Sequence, residues 1–227
     1  MRGRKGFTLI ELLIVIAIIL ILIAIALPNF LEAQERARVV KSAGHLRTME
    51  TAVMEHMIQY GYLYSDYNDS AALTRETRNH QPFATTPCPV FAPIIQGDGG
   101  LSYGGDPNGN DRGFHQAFYA PNLHCPLTTP IRYIDGQATN DPWSDGTVPV
   151  GMDSREVDNV IKYSAYFVSG PDRHAGEWLR GCDNIAGKAV GCAYSPTNGT
   201  KSRGDLWFVV ANDTQFAKNE YIPLKTF

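Results

Sequence analysis

An uninterrupted apolar run near the N-terminus restricts this chain more than any other feature of its sequence. The run extends from Phe7 to Leu27 and contains a single charged residue, Glu11. As an α-helix, its 21 residues would extend roughly 31 Å, close to the thickness of the hydrocarbon core of a bilayer. The run therefore predicts a membrane-spanning helix. The rest of the 227-residue chain is long enough for one folded domain with its own core.

Charge is distributed unevenly on the two sides of this run. Residues 1–6 carry Arg2, Arg4 and Lys5 and no acid, whereas the remainder of the chain has 17 basic and 23 acidic residues. The positive-inside rule then predicts a single-pass protein with residues 1–6 in the cytoplasm and the bulk of the chain exported. The net charge of −3, without a large basic block, disfavours a nucleic-acid partner.

Glu11 requires an explanation because a carboxylate at membrane depth costs on the order of 3 kcal/mol. Three interpretations are open from the residues alone. The run is a plain membrane anchor, or a secretory signal cleaved after Ala26, which would release a soluble binding protein starting at Leu27. In the third interpretation, residues 1–6 are a short leader that is removed after Gly6, and the helix itself is retained.

Residues 5–11, Lys-Gly-Phe-Thr-Leu-Ile-Glu, resemble the processing site of type IV prepilins and of type II secretion pseudopilins. The resemblance implies that a prepilin peptidase cleaves after Gly6 and N-methylates the new terminus, Phe7. It also implies a role for Glu11, whose carboxylate would meet the Phe7 ammonium of a neighbouring subunit in a filament. A proline such as Pro28 is typical of the family, and proline inside a helix predicts a kink or a local opening.

The pattern after the membrane segment predicts a continuous amphipathic helix. Residues 7–28 and 29–60 would form one helix of about 54 residues, or near 80 Å. Its second half carries an apolar stripe consisting of Val39, Ala43, Leu46, Met49, Val53, Met57 and Tyr60. We expect Met49, Met54 and Met57 to be core and packing residues, and His45 and His56 to be surface or interface residues.

Residues 61–227 are predicted to form the head of the molecule. Residues 61–126 indicate long loops with one short helix near Leu73. Ile161–Val168 and Leu206–Ala211 indicate strands, and Ala189–Tyr194 indicates a third. In the first strand, Ile161, Tyr163, Ala165 and Phe167 would share one face, and Lys162, Ser164 and Tyr166 the other. The expected fold is α+β and pilin-like: a long helix, membrane-spanning in its first half and amphipathic in its second, packed on a small antiparallel sheet.

Two further segments resemble the major, or G-type, pseudopilin of type II secretion. These are Leu127–Trp143, with its Leu-Thr-Thr-Pro and Asp-Pro-Trp pieces, and Phe167–Asp172 together with Gly204–Leu206. The resemblance implies that calcium is a possible cofactor, held by Asp172 and Asp205. The sequence departs from that pattern at Arg173, where glycine is common, and through an insertion that contains Cys182 and Cys192.

Four cysteines fit an oxidising compartment and two disulfides. Four cysteines allow three pairings. Nearness in sequence favours Cys88–Cys125 and Cys182–Cys192.

Enzymatic activity is not expected, because the chain contains no H-E-x-x-H, C-x-x-C or G-x-S-x-G motif. The resemblance implies instead a structural subunit, in the first place a pseudopilin that polymerises with itself and with other pseudopilins. Its other partners would be the prepilin peptidase, an inner-membrane assembly platform and a cytoplasmic ATPase. One alternative is the subunit of an extracellular type IV pilus used for adhesion, motility or DNA uptake; the other is the secreted binding protein cleaved after Ala26.

Overall fold

A single long helix, α1, dominates the computed structural model. It extends from Leu9 to Tyr60, which confirms the predicted continuous helix. Gly61 ends it with a left-handed backbone (φ 81°) that glycine adopts without strain. The structure describes residues 7–66, 69, 71–78, 123–129, 131–144, 149–171, 183–185, 188–190, 194–195, 205–220 and 225.

Pro28 lies inside α1, and the helix continues across it without a break. The structure thus has no break in the helix at this residue, and the kink or local opening stays a prediction. A single missing N–H removes one hydrogen bond, and the bonds on either side can keep the helix together. Next to the proline, the Asn29 side chain donates to the Ile25 carbonyl at 3.4 Å.

The second half of α1 packs on the head through the predicted stripe. Leu46, Met49 and Val53 are fully buried, while Val39, Ala43 and Met57 pack at the edge of the same core. Two expectations for this face are wrong. Met54 is half-exposed on the outer side, and His56 is buried. His56 is covered because the chain turns back at Gly61 and brings tyrosine rings against the imidazole at 4.7 to 6.1 Å: Tyr60, Tyr62, Tyr64 and Tyr133.

The head contains an antiparallel sheet with the strand order β1-β2-β5. Its strands are β1 (Gly151–Val157), β2 (Val160–Val168) and β5 (Leu206–Ala211). Two short strands, β3 (Asp183–Ile185) and β4 (Lys188–Val190), form a separate hairpin. Four helical elements complete the described part: α2 (Ala71–Arg78), α3 (Thr214–Glu220) and the 3-10 turns Cys125–Leu127 and Gly136–Thr139.

The third strand of the sheet differs from the prediction. It is β1, not the segment 189–194, whose first residues lie in the separate hairpin. The β1 sequence, Gly-Met-Asp-Ser-Arg-Glu-Val, is too polar to show the alternation expected of a strand. Asp158 and Asn159 join β1 to β2 with positive φ angles of 55° and 56°, as a tight hairpin turn requires.

Strand β2 is buried on both faces over its second half, so its two faces do not differ in burial as the alternation suggests. The face that carries Ser164 and Tyr166 belongs to the core under α1, and Tyr166 stacks on Phe208 at 4.8 Å. The opposite face is covered as well, and Tyr163 lies 6.2 Å from the Phe216 ring of α3. A face that looks polar in the sequence is therefore buried, because the Tyr166 ring packs within the core of the head.

Both outer edges of the sheet are occupied. At β1, the backbone N–H of Ser154 donates to the Asp66 carboxylate at 3.0 Å, and the Asp66 N–H donates to the Ser154 hydroxyl at 2.9 Å. At β5, Lys225 forms a backbone bridge with Phe208, and its ammonium group contacts Glu50 of α1. These contacts connect the sheet edges to the rest of the head.

Gly151 permits a close approach of two strands, and this gives a stability prediction. A Cβ atom at this position would lie 2.2 Å from the ring of Phe167, which is fully buried. Gly151→Ala is therefore expected to lower the free energy of unfolding by about 1–3 kcal/mol through overpacking. Urea unfolding in detergent micelles, followed by tryptophan fluorescence, measures the change.

The matched control is Gly44→Ala, on the exposed face of α1. A Cβ there would have no neighbour within 4 Å, so alanine should stabilise the helix by about 0.5–1 kcal/mol. Equal effects of the two substitutions would show that the Phe167 contact is unimportant.

Candidate functional site: the exposed N-terminal helix

The first half of α1 is exposed along its length. Every residue from 7 to 34 is exposed, including the complete apolar run. By length and composition, α1 is a helix that could cross a membrane, at the N-terminal end of the described chain. Exposed apolar surface of this extent must be covered by lipid or by protein.

Thr8 and Glu11 form a capping box at the start of α1. The Thr8 backbone N–H donates to Glu11 Oε2 at 2.9 Å, and its hydroxyl donates to the same oxygen at 2.7 Å. The Glu11 backbone N–H in turn donates to the Thr8 hydroxyl oxygen at 3.4 Å. Thr8 is thus a site residue that the sequence analysis missed, although Thr-x-x-Glu before an apolar run is a recognised capping signal.

The cap determines where the Glu11 carboxylate lies. A glutamate three residues after the cap reaches back along the helix, so the Glu11 carboxylate lies beside Thr8. Thr8 directly follows Phe7 in the chain. The Phe7 side chain is 74% exposed. A second molecule could therefore contact the start of the described chain. Gly6 lies outside the described residues, so cleavage at this position stays a prediction.

Comparisons with known proteins support the importance of this segment. Residues 1–27 match the model of the prokaryotic N-terminal methylation motif. The type IV wide pilus major component PilA4 of Thermus thermophilus is 38% identical over 95 residues, which cover 42% of this chain and 66% of that protein. The proteins that this chain resembles are thus type IV pilins.

Two more relatives are also named as type IV pilin or fimbrial proteins. The type IV major pilin protein PilA of Myxococcus xanthus is 40% identical over 76 residues, covering 34% of each chain. The type IV major fimbrial protein FimA of Dichelobacter nodosus is 50% identical over 56 residues, covering 23% of this chain and 36% of that protein. The three matches thus span from about a third to 66% of the relatives' lengths. No solved structure matches.

Charged residues that follow the apolar run are paired along the helix. Arg36 donates to Glu32 at 2.6 Å, as the i,i+4 spacing predicts, and Arg38 lies 3.9 Å from Glu35. Arg38 also lies over the Trp143 ring at 6.0 Å, which places α1 against the Asp-Pro-Trp segment of the head.

The structure describes one of the two proposed calcium ligands. Asp205 is buried next to the start of β5, and its carbonyl accepts from the Tyr194 N–H at 2.9 Å. Asp172 lies outside the described residues. Among the residues that the structure describes, no group of three or more histidine, cysteine, aspartate or glutamate side chains has the arrangement of a metal site. Calcium binding by Asp172 and Asp205 stays a prediction.

Cys125 is the cysteine for which the structure gives information, and it is disulfide-bonded. Cys88, Cys182 and Cys192 lie outside the described residues. The pairings Cys88–Cys125 and Cys182–Cys192 therefore stay predictions.

Asp141 connects two segments that the sequence analysis treats separately. Its Oδ1 accepts from the Trp143 backbone N–H at 2.8 Å, and its Oδ2 accepts from the Ser169 N–H at 3.0 Å and hydroxyl at 2.6 Å. Burial raises the pKa of Asp141 to about 6, although the hydrogen bonds from Ser169 and Trp143 oppose this shift. The carboxylate thus joins the Asp-Pro-Trp turn to the end of β2.

A second group of carboxylates lies at the edge of β1. Asp66 is fully buried and accepts from the backbone N–H of Asp69 at 3.1 Å and from that of Ser154, while the Ser154 hydroxyl contacts the Asp69 carboxylate. Burial and the nearby Asp66 charge raise the pKa of both Asp69 and Asp153. Because these bonds come from within the protein, we assign the group a structural role in holding the loop after α1 on the sheet.

Proposed function

We propose that this chain is a structural subunit that polymerises through α1 into a filament of the type IV pilus class. The observation that carries the proposal is the completely exposed apolar run with its one carboxylate turned towards the N-terminus. The same surface can be covered by lipid before assembly and by other copies of the helix afterwards, since both environments exclude water.

Processing would complete the site. Cleavage after Gly6 removes Arg2, Arg4 and Lys5 and creates an α-ammonium group on Phe7, which is then N-methylated. The Glu11 carboxylate of one subunit would pair with the Phe7 ammonium of its neighbour. Because both charges are desolvated, the pair favours one axial stagger and disfavours others. The match of residues 1–27 to the methylation motif supports this route over cleavage after Ala26.

Other components would supply the chemistry and the energy. A prepilin peptidase would process the chain, and an inner-membrane platform with a cytoplasmic ATPase would drive assembly, since this sequence has no nucleotide-binding motif. Before assembly, the head would lie in the periplasm and α1 in the inner membrane.

The relatives named as pilins and fimbrial proteins favour an extracellular pilus. A pseudopilin of type II secretion is a second candidate, favoured by the head segments that resemble the G-type pseudopilin. Asp141 and Ser169 connect two of those segments directly, which indicates that they form one structural unit.

Deletion of the gene in its own host separates these candidates. Loss of surface fibres with normal export of folded proteins supports a pilus subunit, and retained fibres with blocked export support a pseudopilin. A mature protein that starts at Leu27 would contradict both, because the polymerising helix would be lost. Mass spectrometry of the mature N-terminus provides that measurement.

A further inference from the structure

His124 is a buried imidazole with a hydrogen bond on each ring nitrogen. Its Nε2 lies 2.6 Å from the Val150 carbonyl oxygen, and its Nδ1 lies 3.0 Å from the Tyr64 hydroxyl. Because a carbonyl can only accept, Nε2 carries the proton, and Nδ1 accepts from Tyr64. These contacts define one neutral tautomer. They also connect three distant parts of the chain: the loop after α1, the segment 123–129 and the entry to β1.

The groups around His124 oppose a positive charge on it. The Arg78 side chain, from α2, is buried beside it, with Nε donating to the Ser65 carbonyl at 2.8 Å and Nη2 to the Leu123 carbonyl at 2.7 Å. The Arg78 guanidinium lies 5.6 Å from the Tyr64 ring. From β2, the neutral Tyr166 ring faces the imidazole at 6.0 Å. Among the described residues, the charged group that acts on His124 is thus the Arg78 cation.

We propose that His124 is an acid-sensitive lock that holds residues 123–129 in the head and releases them when the imidazole is protonated. Protonation would place a hydrogen on Nδ1, where the Tyr64 hydroxyl already donates, so that hydrogen bond would have to be rearranged. It would also bring a second positive charge beside Arg78 in a buried site. Release of the segment relieves both conflicts, because it exposes the imidazolium to water.

The pH range follows from the two states of the imidazole. Burial, aided by the Arg78 charge, lowers the pKa of His124 to about 3, whereas an exposed histidine titrates near 6.5. At pH values between these two pKa values, the His124 imidazole therefore binds a proton more readily when the segment is open than when it is closed. The stabilisation from neutral His124 is complete above pH about 6.5 and is lost as the pH falls towards 3.

Buried carboxylates in the same head have the opposite pH dependence. The pKa values of Asp141 and Asp69 are raised by burial, so their protonation in acid favours the folded state. A global melting temperature would combine these effects. The lock is therefore tested by a local measurement on segment 123–129.

Hydrogen exchange on the full-length protein in detergent micelles provides this local measurement. The reporting amides are those of Leu127, Thr128 and Thr129, which donate to the His124 and Cys125 carbonyls, and the reference amides are those of β2. After correction for the intrinsic pH dependence of exchange, the ratio of the two protections should fall roughly 100-fold between pH 7 and pH 4.5. A ratio that changes less than two-fold would overturn the proposal.

Two variants assign the response to one side chain. His124→Asn cannot take up a proton, so its protection ratio should be nearly independent of pH. His45→Asn removes a half-buried histidine on α1 and should leave the wild-type response intact. A full pH response in His124→Asn, or its loss in His45→Asn, would contradict the assignment. The wild-type measurement decides the matter even where a variant folds poorly.

Discussion

Glu11→Gln should abolish filament assembly and leave membrane insertion of the subunit unchanged. The substitution removes the charge that would meet the Phe7 ammonium of the neighbouring copy, and it leaves that ammonium buried without a partner. Loss of one member of a buried ion pair costs about 3–5 kcal/mol. Such a loss corresponds to a decrease of roughly two to four orders of magnitude in subunit association. Filament yield by electron microscopy and membrane fractionation of the subunit measure the two effects.

Glutamine is chosen because it preserves the local structure. A glutamine at this position of a capping box can still reach back to the Thr8 backbone, so the start of α1 should remain folded. Glu32→Gln is the matched control, since it removes an exposed carboxylate paired with Arg36 on the same helix and should change assembly little. Filaments at wild-type yield from Glu11→Gln would show that the inter-subunit pair is not needed.

Gly6→Leu should block maturation, and with it filament formation, almost completely. The peptidase of the family cleaves after glycine, and a branched side chain at this position would obstruct its site. The uncleaved chain keeps Arg2, Arg4 and Lys5 and has no α-ammonium group on Phe7. The expected product carries the mass of the six-residue leader and lacks the N-methyl group. Intact-mass measurement of membrane-extracted protein detects both differences.

Gly3→Leu provides the control within the same leader. It places the same side chain three residues further from the predicted cleavage point, so processing and assembly should remain close to wild type. Mature filaments from Gly6→Leu would contradict the assigned cleavage site. Equal loss of processing in both variants would indicate a general effect on the leader, and not recognition of Gly6.

Features that depend on neighbouring residues in the sequence could be predicted. The long helix follows from an apolar run and a 3.6-residue stripe, and the structure has it from Leu9 to Tyr60. The same applies to the short helix α2 near Leu73 and to the strands β2 and β5. In the site, Glu11 stands out because a charge within an apolar run is rare.

Features that depend on contacts between distant segments could not be predicted. The polar strand β1 is held by pairing with β2 and by Asp66, more than 80 positions earlier in the chain. His56 is buried because tyrosines beyond Gly61 fold back over it. His124 and Asp141 resemble ordinary loop residues in the sequence, and only the fold provides their buried partners.

The occupied edges of the sheet have a consequence for a protein that must exist at high density. An open strand offers unpaired amide and carbonyl groups to any other chain, and crowded copies would then stack into cross-β aggregates. Here the Asp66 turn blocks one border and the Lys225 contact blocks the other. Strand pairing between the heads of two copies is thereby disfavoured. Polymerisation would then proceed through the exposed apolar half of α1.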